Sequence, residues 1–392
     1  HVSSESQRYL RTIMIVLDGA GIGALPDAVL YGDEHSNTIG NVAKRVSLAI
    51  PTLRALGLGS LVELGGSCPA RRQAAIGKMA EVSAGKDSVT GHWELMGVTT
   101  THAFPVFPNG FPESSINEFE QKIGRSVIGN VAASGTEIIQ KLGAEHLSTG
   151  SPIVYTSADS VCQIAAHEDV IPVDLLYRFC ETAYDVMVKG IGVGRVIARP
   201  FTGPIGSFRR TAQRRDFAQP PSGLTLLDRV HAEGLPVVAI GKVSDLFAGR
   251  GISESVHTDC DDEVMTALNS SMRKTTCGLL VANCVDFDTV YGHRNDVVGY
   301  AANLERFDRH LLELLPCVGP NDLLVITADH GNDPTTLGSD HSREYVPLLV
   351  VGRKIRNVDL GVRHSFADVG QTLSQALGVS SVDSGESFID AL

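Results

Sequence analysis

Residues 12–17, Thr-Ile-Met-Ile-Val-Leu, form a nearly unbroken apolar run that gives way to Asp-Gly-Ala-Gly at 18–21. A continuous β-branched run ending in a Gly-containing turn reads as a parallel strand buried on both faces. Residues 236–240, 278–285 and 323–327 repeat the pattern, and 348–351 is a shorter candidate of the same kind. Helical spacing of apolar residues fills 224–233, 261–272 and 297–315, each just ahead of one of those strands. Such alternation predicts an α/β domain built on a largely parallel sheet.

The middle of the chain has a different rhythm. Residues 104–111 are rich in Pro, Gly and aromatic side chains, and 218–223 contain Gln-Pro-Pro-Ser-Gly, so both read as linkers. Between them, Ser134-Gly-Thr-Glu137 has the form of a capping box that opens a short helix, and 195–198 is a strand candidate. This predicts a smaller α+β cap domain over 103–219, inserted into a core formed by 1–102 and 220–392. Two domains also suit 392 residues at about 150 residues per domain.

Composition narrows the classes. With 43% hydrophobic and 20% charged residues, the chain can bury a core, which excludes a disordered chain. A net charge of −12 argues against a nucleic-acid partner, since duplex binders present a basic surface. Positive charge is nonetheless clustered at 195–215 and 353–363, enough for a small anion. The seven cysteines are scattered without a CxxC pair, which argues against a disulfide framework or a thiolate zinc site and fits a reducing cytoplasm. No apolar stretch reaches the ~18 residues of a membrane span, and the polar residues 1–9 lack the apolar centre of a secretory signal. The expectation is a cytoplasmic protein with no membrane association and no obligate protein partner.

Candidate metal ligands follow the predicted strands, where open parallel sheets gather their ligands. Asp18 follows the first run; Asp286, Asp288 and His293 follow the run ending at 285; Asp329 and His330 follow the run ending at 327, with His341 beyond. A lone Asp after a strand is usually a turn residue, and a lone His is more often hydrogen-bonded than ligating. Thr-Ala-Asp-His-Gly-Asn-Asp at 327–333 and Val-Asp-Phe-Asp-Thr-Val-Tyr-Gly-His-Arg at 285–294 are harder to explain that way. Asp and His without Cys suit Mn²⁺, Zn²⁺ or Mg²⁺. The number of donors exceeds one ion, and two ions about 3.5–4 Å apart form a clamp for phosphoryl transfer. Gly85-Lys-Asp-Ser-Val-Thr-Gly-His-Trp-Glu-Leu-Met-Gly97 reads as a turn entering a helix, with Thr90 at its start. There the helix dipole favours an anion and a nearby dication would activate the hydroxyl. On spacing alone an N-cap is the better reading of Thr90, and only the metal-ligand candidates beside it make it a nucleophile candidate.

Taken together, these motifs resemble the phosphopentomutases of the alkaline phosphatase superfamily along nearly the whole chain. The resemblance adds Ile-Val-Leu-Asp-Gly-Ala-Gly-Ile-Gly at 15–23, Tyr-Thr-Ser-Ala-Asp-Ser-Val at 155–161, Gly-Arg-Val-Ile-Ala-Arg-Pro at 194–200 and Asp-His-Ser-Arg-Glu at 340–344. It implies an alkaline-phosphatase-like core with an inserted cap. It implies that Asp18, Asp329 and His330 hold one metal, with Thr90 or its phosphate, and that Asp288, His293 and His341 hold the other. Asp288 rather than Asp286 is selected by the family pattern, as is Mn²⁺. The implied reaction interconverts ribose 1-phosphate and ribose 5-phosphate, and the 2-deoxy sugars, through phospho-Thr90 and a bisphosphate intermediate. Priming by a sugar bisphosphate such as glucose 1,6-bisphosphate is implied too. Asp159, Arg195, Arg210 and Lys242 are implied as substrate-binding residues, with Arg209 a competitor for the place of Arg210. Cap closure would then exclude water. Two rival activities share the metal core, a cofactor-independent phosphoglycerate mutase and a metal-dependent phosphatase. A non-catalytic metal-binding protein is disfavoured because every position of the set holds a competent residue.

Overall fold

The structure, a computed structural model, describes residues 9–392; residues 1–8, in the opening stretch read above as lacking a secretory signal, lie outside it. The chain forms two compact units, one from residues up to His102 together with Pro220–Leu392, the other from Ala103–Gln219. In chain order the strands are β1 (Arg11–Leu17), β2 (Ala75–Met79), β3 (Ile128–Ala132), β4 (Ile153–Thr156), β5 (Val161–His167), β6 (Arg195–Thr202) and β7 (Arg209–Arg210). They continue with β8 (Arg215–Ala218), β9 (Val237–Ile240), β10 (Glu254–Val256), β11 (Gly278–Cys284), β12 (Asp322–Thr327), β13 (Val346–Val351) and β14 (Asp359–Arg363). Among the described residues, no helix is long and apolar enough to cross a membrane.

The larger unit is α/β. Its sheet runs β10-β9-β11-β1-β12-β13-β2-β14. The first five strands are mutually parallel. Every residue of β1, β11 and β12 is buried, as uninterrupted apolar runs require. β13 departs from expectation: residues 348–351 were grouped with the parallel runs, but β13 lies antiparallel to both β12 and β2. The cause is the connection. A parallel neighbour needs a crossover, usually helical, whereas 328–345 form no helix and return directly as β13. The strand β2, between β13 and β14, escaped the pattern because Gly77 and Lys78 interrupt its apolar run.

The smaller unit is α+β. Its sheet runs β3-β4-β5-β6-β7, with β8 also on β6, and mixes parallel and antiparallel pairs. One face buries Val154, Ile164 and Val196 against Phe119, Leu176 and Phe179 of the helices Glu113–Ile123 and Val173–Ala183. The other face packs Ile153, Ala165 and Phe201 under Ile138 and Ile139 of the helix Gly135–Thr149. That helix begins after Ser134 as the sequence pattern implied, but it spans 15 residues and the capping box does not form. The Ser134 hydroxyl pairs with the Thr136 hydroxyl instead, at 3.1 Å. A capping box does form at Thr225 and Asp228, opening the helix Leu226–Ala232.

Candidate active site

β11, β1 and β12 are consecutive neighbours and parallel, so the segments that leave their carboxyl ends meet at one edge of the sheet. Asp18 is the first residue after β1, Asp329 and His330 follow β12, and Asp288 and His293 follow β11. β9, on the far side of β11, delivers the exposed Lys242 to the same edge.

The donors converge in two overlapping groups. Asp18, Asp329 and His330 present ligand atoms within 4.8 Å of one another, as do Asp288, His330 and His341. His330 Nε2 lies 3.1 Å from Asp18 Oδ1 and 3.3 Å from Asp329 Oδ2. Its ring stacks on His341 with centroids 4.0 Å apart. His341 Nε2 and His293 Nε2 both sit 3.1 Å from Asp288, and 3.1 Å from each other. His330 thus stands between the two groups, whereas the family resemblance assigns it to one metal only.

Local backbone geometry explains why Asp288 and not Asp286 enters the site. Phe287–Gly292 is one wide π turn, in which His293 N–H reaches Asp288 O at 2.9 Å, five residues back. Asp286 turns away: its carboxylate accepts Asp261 N–H at 2.9 Å, and Asp261 returns the bond by accepting Asp286 N–H at 3.1 Å. The following loop fixes His293, whose Nδ1 is 2.5 Å from Ser339 O, and Asn295 braces that loop by donating to the carbonyls of Thr336 and Gly338.

Thr90 occupies the first turn of the helix Ser88–Leu95, but it is not the N-cap. Asp87 is, accepting Thr90 N–H at 3.0 Å. The Thr90 side chain is buried, and its hydroxyl has no hydrogen-bond partner among the described residues. Gly91 lets the helix sit directly on the loop that carries Asp329, since a Cβ there would lie 2.3 Å from Asp329 O. Ser88 Oγ reaches into the donor group, 3.0 Å from Asp18 Oδ1 and 2.9 Å from His330 Nε2.

Sequence reasoning missed the residues that aim the donors. His92 Nδ1 is 2.8 Å from Ser88 O and 3.2 Å from Asp329 Oδ2, and Asn283 donates both to His92 Nε2 at 2.7 Å and to Asp18 at 3.2 Å. Asn332 donates to Asp288 at 2.7 Å. Each carboxylate is therefore oriented by an outer partner, as metal-site carboxylates are. His92 and Asn332 lay inside the motifs already noted; the available signal was their position there, not their chemistry.

Electrostatics follows from three buried carboxylates in one place. Burial and the neighbouring Asp329 and Asp288 push the Asp18 carboxyl above its usual range, with His330 opposing. Burial acts the same way on Asp288, but His341, His293 and His330 together hold its carboxyl well below that range. Burial is likewise outweighed at His330, where Asp329, Asp18 and Asp288 raise the imidazole well above its ordinary value. The donors are carboxylate oxygens and imidazole nitrogens without a thiolate, and Thr90 adds a buried unpartnered oxygen. That set fits divalent cations such as Mn²⁺, Zn²⁺ or Mg²⁺.

In the smaller unit, Asp159 lies in the turn from β4 to β5, and Arg195 opens β6, 3.5 Å from Asp216. Arg209 is exposed, whereas Arg210 is half-buried and donates to the Tyr155 hydroxyl at 3.1 Å.

A family profile described as the metalloenzyme superfamily matches residues 10–381. A phosphopentomutase of Acetivibrio thermocellus is 54% identical over 97% of this chain and 99% of its own length. One from Caldanaerobacter subterraneus subsp. tengcongensis is 52% identical over 97% of this chain and 98% of its own. A solved structure of a Pyrococcus horikoshii protein covers 96% of this chain and 100% of its own, with a TM-score of 0.52 at 15% identity, a likeness of fold. An identity near half, sustained from end to end, places the chain in the phosphopentomutase family of isomerases, within the metalloenzyme superfamily.

Proposed function

We propose that the chain interconverts ribose 1-phosphate and ribose 5-phosphate, and their 2-deoxy counterparts, with Thr90 as the phosphate carrier. The observation that carries this reading is the buried, unpartnered Thr90 hydroxyl on a helix seated against Asp329. Asp18, Asp329 and His330 would hold one divalent ion, and Asp288, His293 and His341 the other, with Mn²⁺ favoured by the family. Bound there, the ions would supply positive charge to the transferring group and make the Thr90 oxygen a better nucleophile and leaving group.

Phospho-Thr90 gives its phosphoryl group to the free hydroxyl of the incoming sugar monophosphate. The Thr90 Oγ1–P bond breaks, a sugar O–P bond forms, and the sugar hydroxyl's proton ends on Thr90. The resulting bisphosphate turns round and returns its other phosphoryl group to Thr90, releasing the isomeric monophosphate. Asp159, Arg195, Arg210 and Lys242 hold the sugar phosphate; guanidinium forks suit a phosphate and Lys242 acts as a point charge. Arg210 is favoured over Arg209 because its side chain is half-buried and oriented by Tyr155. A sugar bisphosphate such as glucose 1,6-bisphosphate would prime Thr90.

The test follows ribose 1-phosphate and free phosphate together, from ribose 5-phosphate and Mn²⁺, with and without the primer. Isomerisation with little phosphate release is expected, and peptide mass mapping of primed enzyme should place the phosphate on Thr90. Phosphate release alone would mean a phosphatase, turnover of 3-phosphoglycerate alone would mean the rival mutase, and phosphate on Ser88 would overturn the carrier assignment.

A further inference from the structure

Register decides which side chains of the smaller unit share a face. Along β6, Arg195, Ile197, Arg199 and Phe201 alternate onto one side, and Val196, Ala198 and Pro200 onto the other. Phe201 packs with the core under the helix Gly135–Thr149, and Val196 and Ala198 with the opposite core. Cross-strand pairing extends the first face. Gln163 and Asp216 stand opposite Ile197, Tyr155 opposite Gln163, and Arg210 opposite Phe201. The apolar part of this face is Ile153, Ala165 and Phe201; Arg195, Arg199, Arg210, Gln163 and Asp216 make a polar part beside it.

The charges on this face do not balance. Asp216 is engaged by Arg214 at 2.7 Å and 2.8 Å and by Arg195 at 3.5 Å. Arg199 is half-buried and donates its Nε to Gln163 Oε1 at 3.0 Å. Among the described residues, neither Arg199 nor Arg210 has a carboxylate within 4.0 Å, and Arg210 Nε is buried without a hydrogen-bond partner. Burial, with Arg214 and Arg210 nearby and Tyr155 and Asp216 opposing, pushes Arg199 down to about 10, so it remains cationic at neutral pH with Asp216 as a distant counter-charge already engaged by Arg214. Half-buried guanidinium groups without counter-charges are costly unless a ligand supplies one, and a phosphate dianion meets their planar forks bidentately.

We propose that Arg199, aimed by Gln163, binds together with Arg210 the phosphate group of a pentose phosphate. The inference rests on the pentose-phosphate reading given above. Gln163 is a positioning residue: it holds Nε and leaves the terminal nitrogens of Arg199 to face the anion.

The experiment compares full-length wild type, Arg199→Gln, Arg199→Lys and Gln163→Leu, each loaded with Mn²⁺. It reads the thermal shift produced by ribose 5-phosphate, then KM and kcat for isomerisation. Losing a charge-assisted contact in Arg199→Gln should raise KM about tenfold and shrink the ribose 5-phosphate shift, with bound Mn²⁺ unchanged. Arg199→Lys should recover part of the loss, and Gln163→Leu should raise KM in the same direction by about threefold. An unchanged KM and thermal shift in Arg199→Gln would overturn the assignment; should that variant not fold, an unchanged Gln163→Leu would do so. Wild type that binds ribose 5-phosphate without isomerising it would instead sink the functional reading, while the binding comparison still decides the role of Arg199.

Discussion

His330 is the residue on which the site turns, because its single Nε2 faces carboxylates from two strand ends while its ring stacks on His341. Its Nδ1 is 2.8 Å from Gly331 O, which leaves Nε2 facing the carboxylates and available to a metal. Removing a neighbouring donor should therefore cost metal rather than fold. Asp329→Ala and His341→Ala should each bind less Mn²⁺ than wild type, read by elemental analysis of dialysed protein; unchanged content would contradict the proposed ligand sets. Thr90 belongs to the same scale but to another chemistry. Thr90→Ala should lower isomerisation by about 10⁴-fold or more, the size of loss seen when a nucleophile is deleted. Its circular dichroism and Mn²⁺ content should match wild type, and turnover at a wild-type rate would exclude Thr90 as the carrier.

The helix Ser88–Leu95 shows how an element sets the positions of such residues. Asp87 caps it, and Glu94, buried, accepts the backbone N–H groups of Val82, Ser83 and Phe366 and so ties the approach to the helix to the helix itself. Gly91 faces the Asp329 backbone too closely for any side chain. In an exposed helix, Gly→Ala would stabilise by about 1 kcal/mol. Here the sign reverses, because the obstructing atoms are main chain and the helix must shift. Gly91→Ala should destabilise by about 1–3 kcal/mol, and both Mn²⁺ affinity and isomerisation should fall. Denaturant unfolding and metal titration check this, and a more stable, fully active variant would refute the close-approach argument. The wide turn at 287–292 makes a second point at this scale. A five-residue spacing puts Asp288 and His293 together only because the backbone widens there, so an ordinary helical spacing rule could not choose between Asp286 and Asp288.

At the scale of the whole molecule, each unit has its own core, and the smaller one carries a pH sensitivity of its own. In the smaller unit, the buried His146 donates Nδ1–H to Ser151 O at 2.6 Å, and its Nε2 accepts His167 N–H at 2.8 Å, so only the neutral ring fits. Burial, followed by His167 and Arg125, lowers its pKa below the ordinary 6.5, with the Ser151 carbonyl opposing. A lowered folded value means that the unfolded chain takes up the proton first as pH falls. The stability held by neutral His146 is thus fully present above about pH 6.5 and is lost progressively below it. Hydrogen exchange at the His167 amide should accelerate between pH 7.5 and pH 5.5, after correction for intrinsic rates, more than at amides of β1. His146→Gln, which keeps an acceptor but no titrating ring, should remove the difference; a slope that persists would place the proton elsewhere.

By itself the sequence determined the central strands β1, β9, β11 and β12 and the mainly parallel α/β class. Strands buried on both faces must be apolar throughout, and runs this short, bounded by turn residues, suit a strand better than a buried helix. It also marked the segments that carry the donors, since ligands collect where parallel strands end. The reversed direction of β13 was decided by tertiary structure, because the same apolar run serves a strand of either sense and only the connection differs. So were the roles of His92 and Asn283, which meet across 191 positions of sequence, and the shared face of Arg199, Gln163 and Arg210. Such pairings are properties of packing and register, in which residues far apart along the chain become neighbours, and no local periodicity encodes them.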